Sequence, residues 1–335
     1  TVYFRVKSFP GYGKLSHKNI DDLESGHRDE AHQLKVSGED EKEDPLDFVL
    51  WKPKKEGEPF WESPWGEGRP GWHLECSVMS RKYIGGTLDI HAGGEDLIFP
   101  HHENEIAQSE AANGVPFAHY WMHNAFLNID NKKMSKSLGN FFTVRDISEK
   151  YDLQVLRFFM LSAHYRSPLN FSADLMEAAA NSLERIRTCA SSLDFAIAQN
   201  KDRAQLSAEE KELLGKTAEY DTRFDEAMDD DCNTADAISV VFELVKLCNN
   251  ELKESRSGAF YEALAAKLTG LCDVLGLILK GEEELLDKEI EDLIEQRNEA
   301  RRNKDFAKAD EIRDGLKARG IILEDTREGV KWKRE

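Results

Sequence analysis

The sequence predicts an α/β fold, a doubly wound parallel sheet, followed by an α-helical bundle and a small mixed module at the end. Three observations predict it. Between residues 71 and 145 short apolar runs alternate with helix-like stretches, the pattern of βαβ units. From Asp146 onward apolar residues recur at three and four spacing, the mark of helices with one buried face. The last stretch, Glu291 to Glu335, holds 12 Lys/Arg and 12 Asp/Glu, so the formal charge of −19 sits entirely upstream of it.

With 335 residues the chain has room for two or three domains, because single cores stop growing near about 250–300 residues. Hydrophobic residues make up 40% and charged residues 33%, a composition typical of soluble globular chains. No apolar run approaches the ~18 residues of a membrane helix, and no signal peptide opens the sequence. A cytoplasmic protein without a membrane partner is expected. The acidic surplus argues against nonspecific coating of nucleic acid. Five cysteines, Cys76, Cys189, Cys232, Cys248 and Cys272, lack a framework spacing, and four lie in helix-like sequence. Reduced thiols are expected and a secreted disulfide protein is excluded.

Taken in order, Thr1-Val2-Tyr3-Phe4-Arg5-Val6 alternates like a strand already under way, with no initiator methionine; the chain is expected to be a fragment. Between Asp21 and Asp44 ten acidic residues face three basic ones, which reads as a solvated surface or mobile loop. Pro45 to Trp51 reads as a short buried strand. Pro53, Pro59, Pro64 and Pro70 then exclude a long helix from Lys52 to Gly71. Leu88-Asp89-Ile90-His91 is a strand halted by Gly93-Gly94, and His101 to Asn113 is a helix introduced by Pro100 and closed by Gly114-Val115-Pro116. Leu153, Leu156, Phe159 and Met160 mark one helical face; Leu183, Ile186 and Leu193 mark another. Helices continue to about Leu286, consistent with a bundle.

Six of the ten histidines, His73, His91, His101, His102, His119 and His123, fall between residues 71 and 145, a density that core packing does not explain. His101 and Glu105 stand four apart on a predicted helix, so both leave the same face, and Cys76 could reach them from a neighbouring element. Thiol, imidazole and carboxylate are zinc ligands, and three of them with an open fourth position describe a catalytic or substrate-binding zinc. A protease HExxH reading of His102-Glu103 fails, because Ile106 stands where the second histidine belongs. Three residues alone favour the plainer reading, a buried thiol beside a polar helix face. The segment Lys133-Met134-Ser135-Lys136-Ser137-Leu138-Gly139-Asn140 follows the turn pair Asp130-Asn131. Small residues there let backbone amides approach phosphates, and lysines neutralise charge that develops in phosphoryl or nucleotidyl transfer.

Lys133-Met134-Ser135-Lys136-Ser137 is the signature loop of class I aminoacyl-tRNA synthetases. With Pro70-Gly71-Trp72-His73-Leu74-Glu75-Cys76 and the run from Asp89 to Glu105, the chain resembles cysteinyl-tRNA synthetase in motif order and spacing, through Gly320-Ile321-Ile322-Leu323-Glu324-Asp325 near its end. The resemblance implies the second half of the class I, Rossmann-like doubly wound sheet with a connective insertion, then the bundle and an anticodon-binding module. Its boundaries are 1–70 for the insertion and a catalytic remnant, and 71–145 for the half-fold with zinc site and lysine loop. A stem-contact linker spans 146–175, the tRNA-binding bundle 176–287 and the anticodon module 288–335.

The implied activity is cysteine–tRNA ligation: ATP and cysteine give cysteinyl-adenylate, and the cysteinyl group moves to the 3′ end of tRNA(Cys). By the same resemblance Cys76, His101 and Glu105 hold one Zn2+ whose open position takes the substrate sulfur, a soft ligand that zinc prefers to a hydroxyl. Trp72 and His91 wall that pocket; His91 is expected at the carboxyl end of its strand, where open sheets bind ligands. Lys136, and more weakly Lys133, meet the ATP phosphates, with Ser135 and Ser137 beside them and Mg2+ as companion ion. Arg301, Phe306, Arg313 and Asp325 offer guanidiniums, a stacking face and a carboxylate to anticodon bases. Without the resemblance, Lys288 to Arg319 reads as a solvated charged helix. The family's His-x-Gly-His motif is absent and no cysteine precedes Cys76. The chain is thus expected to lack a fourth zinc ligand and to be inactive alone. A monomer is expected. Alternatives are a cysteine–amino-sugar ligase of thiol biosynthesis and a noncatalytic tRNA-binding fragment.

Overall fold

The computed structural model describes residues 1–20, 42–130, 132–133, 143–279, 282–303, 305–318, 321–326 and 329–334. Its contacts divide the chain into two units, one of residues 1–141 with 164–171, the other of 142–163 with 172–335.

The first unit opens with β1 (Val2–Phe4), paired antiparallel to β2 (Phe48–Pro53), which pairs antiparallel to β3 (Gly68–Pro70). The strand expected from Pro45 starts later and only its first residue, Phe48, is buried. Asp47 is the reason. Its buried carboxylate accepts from the Val6 and Asp44 amides, folding residues 44–47 into a turn. Helix α1 (Trp72–Tyr83) follows β3, and β4 (Leu88–Gly94) pairs in parallel with β5 (Ala118–Asn124) across α2 (Glu103–Asn113). This is a βαβ unit of the doubly wound kind the sequence predicts.

Strand β4 runs through Gly93 and Gly94 instead of stopping before them. His91 is therefore mid-strand and not at its end. Both glycines stay extended, and Gly93 is needed for closeness: a Cβ there would lie 2.9 Å from His102 Cε1 and 3.0 Å from Leu97 Cδ1. Helix α2 begins two residues later than His101, which belongs to a wide helical turn over Ile98–His102. It ends as expected on Gly114, whose φ of 68° is the left-handed cap glycine tolerates. Strand β6 (Leu127–Ile129) pairs antiparallel with β7 (Lys132–Lys133).

In the second unit α3 (Val144–Ser148) starts on a Thr143–Asp146 capping box, and α4 (Leu153–Leu161) is capped by Asp152. The chain returns to the first unit in β8 (Leu169–Phe171), parallel to β6. Of the face expected for α4 only Phe159 is buried. Leu153 and Met160 are about half exposed (48% and 47%), and Val155 and Phe158 are buried instead. A helix apolar at nearly every position carries no single stripe to read.

The bundle consists of α5 (Ala173–Gln199), α6 (Ala208–Lys216), α7 (Ala218–Asp229), α8 (Thr234–Glu251) and α9 (Gly258–Val274). Leu183, Ile186 and Leu193 of α5 are fully buried, with α5 packed on α9 and α7 on α8. Cys76, Cys189, Cys248 and Cys272 are helical, and all five cysteines are free thiols. Then come α10 (Glu282–Arg302), α11 (Phe306–Ala318) and the hairpin β9 (Ile321–Thr326) with β10 (Gly329–Arg334). Ile290, Ile294, Leu316 and Ile321 form the core of this last module. Among the described residues no helix is long and apolar enough to cross a membrane.

Candidate metal centre

Helix α2 carries the site, and its composition is unusual for a buried helix. Glu103, Asn104, Glu105, Gln108 and Ser109 are all buried, alongside Ile106 and Ala107. Buried polar groups persist only where they are hydrogen-bonded or bind something. Glu103 is satisfied by the turn after β1. Its carboxylate accepts from the Gly13, Leu15 and Ser16 amides at 3.1, 2.8 and 2.6 Å and from Ser16 Oγ at 2.9 Å.

Glu105 differs. One oxygen, Oε2, lies 2.9 Å from His91 Nε2 on β4. The other, Oε1, lies 2.8 Å from His101 Nε2, yet it is buried and accepts no aligned hydrogen bond. Cys76 of α1 comes to the same place, and one ligand atom each of Cys76, His101 and Glu105 lie within 4.8 Å of one another. Oxygen and nitrogen thus lie close without an aligned hydrogen bond, with the Cys76 thiol within reach of both, an arrangement that can accommodate a shared cation. Sulfur, nitrogen and oxygen donors in this number fit zinc. A second group, His91, His102 and Glu105, meets the same 4.8 Å limit, and shares the carboxylate.

The electrostatics favour a cation. Burial, reinforced by the Glu105 carboxylate, pushes the Cys76 thiol up to about 12. Burial alone would raise Glu105, but contacts from His101, His91 and Cys76 outweigh it and hold the carboxyl well below its usual range. Burial, with His101 adjacent, drops His73 to about 4. His102 also falls to about 4, mainly by burial, and burial with Arg166 lowers His123. The cluster thus holds neutral imidazoles at His73 and His102, an anionic carboxylate and a thiol that needs positive charge to ionise.

Trp72 is not core. It is 60% exposed at the start of α1, with its ring 5.1 Å from the His101 ring and stacked at 6.2 Å on His73. His91 packs between His102 at 4.8 Å and Trp121 at 4.9 Å, and His102 Nδ1 is 2.8 Å from His123 Nε2. Sequence reading singled out neither Tyr12, His73, Glu103 nor Asn104 as site residues. The crowding of histidines was the available signal, but their pairing across elements was not encoded in it.

Lys133 ends β7, while Ser135, Lys136 and Ser137 lie outside the described residues. In the second unit Arg301 is exposed near the end of α10, Phe306 is 62% exposed at the start of α11 and Asp325 lies in β9. Arg313 is exposed and pairs with Asp310 and Asp314, each at 3.1 Å.

Comparison with known proteins agrees along the whole chain. Residues 1–181 match the family described as tRNA synthetases class I (C) catalytic domain, 223–280 the DALR domain, and 283–332 the cysteinyl-tRNA ligase anticodon binding domain. The cysteine–tRNA ligase of Lachnospira eligens is 66% identical over 100% of this chain and 71% of its own length. That of Lachnoclostridium phytofermentans is 58% identical over 100% and 70%, and that of Clostridioides difficile 54% over 99% and 70%. A solved ternary complex, Agrobacterium radiobacter K84 agnB2 LeuRS-tRNA-LeuAMS, shares the fold. Its TM-score is 0.52 at 14% identity, over 66% of this chain and 33% of that one. The chain belongs to the cysteine–tRNA ligases, within the class I aminoacyl-tRNA synthetases.

Proposed function

We propose that the first unit recognises cysteine by its sulfur, at a zinc ion held by Cys76 Sγ, His101 Nε2 and Glu105 Oε1, within ATP-dependent charging of tRNA(Cys). The observation that carries this reading is the buried Glu105 Oε1, which lies 2.8 Å from His101 Nε2 without an aligned hydrogen bond and in one cluster with the Cys76 thiol. Bound there, zinc supplies a soft Lewis acid that takes a thiolate far better than a hydroxyl. Pocket shape alone separates cysteine from serine weakly.

The chain's own residues do the rest. His91 holds the second oxygen of Glu105, which fixes the carboxylate's orientation. The exposed ring of Trp72, over His101, walls the approach for a substrate side chain. Lys136, aided by Lys133, Ser135 and Ser137, neutralises the ATP phosphates, with Mg2+ as the nucleotide's ion. Arg301, Phe306, Arg313 and Asp325 offer stacking and hydrogen-bonding groups to anticodon bases. The anticodon-binding match over residues 283–332 favours tRNA over an amino sugar as acceptor. Five free thiols support a reducing, cytoplasmic setting.

Cobalt(II) substitution tests the site. A thiolate-to-cobalt absorption band is expected in the wild-type chain, absent from Cys76→Ser, and strengthened by free cysteine but not by serine. No band, or the same response to both amino acids, overturns the reading. In the full-length ligase Lys136→Ala is expected to collapse cysteine-dependent pyrophosphate exchange while tRNA affinity holds; unchanged exchange removes that assignment.

A further inference from the structure

We propose that Tyr12 and Asn104 are positioning residues for the His101 ring, acting through His73, and that they decide which of its nitrogens is left bare for the cation. This rests on the zinc reading above and concerns residues that reading does not use. Tyr12 Oη donates to Asn104 Oδ1 at 2.6 Å, the Asn104 amide nitrogen lies 3.1 Å from His73 Nε2, and His73 Nδ1 lies 2.8 Å from His101 Nδ1. The opposite nitrogen of the same ring, His101 Nε2, faces Glu105. Tyr12, Asn104 and His101 are 7%, 3% and 9% exposed, so the row is shielded from competing water along most of its length.

Such a row runs in one of two directions, because a neutral imidazole donates from one nitrogen and accepts at the other. Run inward from Tyr12, the hydroxyl donates to the Asn104 oxygen, the Asn104 amide to His73 Nε2, and His73 Nδ1–H to His101 Nδ1. The hydrogen of His101 then sits on Nε2, toward Glu105, on the lone pair a cation needs. Run outward, His101 Nδ1–H donates to His73, His73 Nε2–H donates to the Asn104 oxygen, and the amide donates to Tyr12 Oη. His101 Nε2 is then bare. Every link of the row has a donor and an acceptor both ways, since an amide and a phenol can each serve as either. The reversal transfers no net proton: each ring loses a hydrogen at one nitrogen and gains it at the other, while the Asn104 amide turns over.

The row is anchored at Tyr12 and at His73. Glu103, beside Asn104, grips the backbone of the turn that carries Tyr12. Gln108 Nε2 donates to the His73 carbonyl at 3.3 Å. Partners of metal-bound histidines set the tautomer and orientation of the ring, and losing one costs about 10–100-fold in metal affinity.

The test exploits a side chain that can only accept. Asn104→Asp accepts from Tyr12 and from His73 Nε2–H together, which locks the row in the outward direction. Asn104→Leu cuts it, and Tyr12→Phe removes its terminus. Cobalt(II) titration of each folded chain, read by the thiolate absorption band, is expected to give binding about 10-fold tighter for Asn104→Asp, about 10–100-fold weaker for Asn104→Leu, and a smaller loss for Tyr12→Phe. A merely structural role would weaken all three. Affinity equal to wild type throughout, or an aspartate variant weakened like the leucine one, overturns the proposal and leaves the zinc reading standing. A wild-type chain that takes up no cobalt overturns both. If Asn104→Leu does not fold, the opposite shifts of the aspartate and phenylalanine variants decide.

Discussion

Helices α2 and α5 are both buried along most of one side, and for opposite reasons. In α5 the buried positions, Met176, Ala179, Leu183, Ile186, Cys189 and Leu193, form a stripe at helical spacing, and the hydrophobic effect suffices to place it. In α2 the buried positions include Glu103, Asn104, Glu105, Gln108 and Ser109. Each costs free energy to dehydrate; Glu103, Asn104, Glu105 and Gln108 offset it through specific partners, whereas Ser109 Oγ has none among the described residues. A helix buried by apolar area tolerates repacking, whereas one buried by partners tolerates little. The second kind of burial marks a site.

The most damaging way to break that contrast is Glu103→Ala. It strips four hydrogen-bond donors of a fully buried carboxylate, and a loss of about 3–5 kcal/mol is expected. Amide hydrogen exchange in the intact chain should show protection falling in α2 while α5 stays unchanged; equal loss in both would erase the distinction. Leu183→Ala in α5 is expected to cost about 3 kcal/mol by leaving a cavity, against under about 1.5 kcal/mol for Leu183→Met. Urea unfolding measures both, and a methionine variant as damaged as the alanine one would contradict tolerant packing.

The smallest effect sharpens the comparison, because the bundle also contains one buried carboxylate. Glu210 closes a capping box with Ser207 and accepts from the Ser257 amide at 2.6 Å, so it caps both α6 and α9. Burial would raise its carboxyl, but the Ser207 and Ser257 hydrogen bonds prevail and lower it from the ordinary 4.5. Its contribution is therefore complete above about pH 4.5 and fades as pH falls through the depressed folded value. Ser257→Ala should cost about 1 kcal/mol, and Glu210→Gln should flatten the acid dependence of unfolding. An unaltered acid limb would show that this carboxylate does not cap.

These same contrasts explain what was legible in the sequence. Leu183, Ile186 and Leu193 were readable because periodicity records a local rule, and all three are fully buried. The i, i+4 spacing of His101 and Glu105 singles them out with Cys76 as candidates, but the three residues alone favour a buried thiol beside a polar helix face, and their assignment to zinc comes from the resemblance. The Tyr12–Asn104 bond joins residues 92 apart, and the Glu103 cradle joins residues nearly as distant. No short-range pattern encodes either. The extended passage through Gly93-Gly94 was missed for a related reason: glycine reads locally as a breaker, while here it answers a neighbour across the site.

That neighbour gives Gly93 a lasting consequence. The wall behind the His102 ring is bare main chain, 2.9 Å from its Cε1 to where a methyl would begin. Side-chain walls drift through compensating exchanges of bulk, since a smaller residue here can answer a larger one there. A wall of backbone has nothing to exchange. The clearance on that flank is set by the path of β4 itself, so alanine at this position forces the imidazole or the strand aside, and any retuning of the pocket has to come from its other sides.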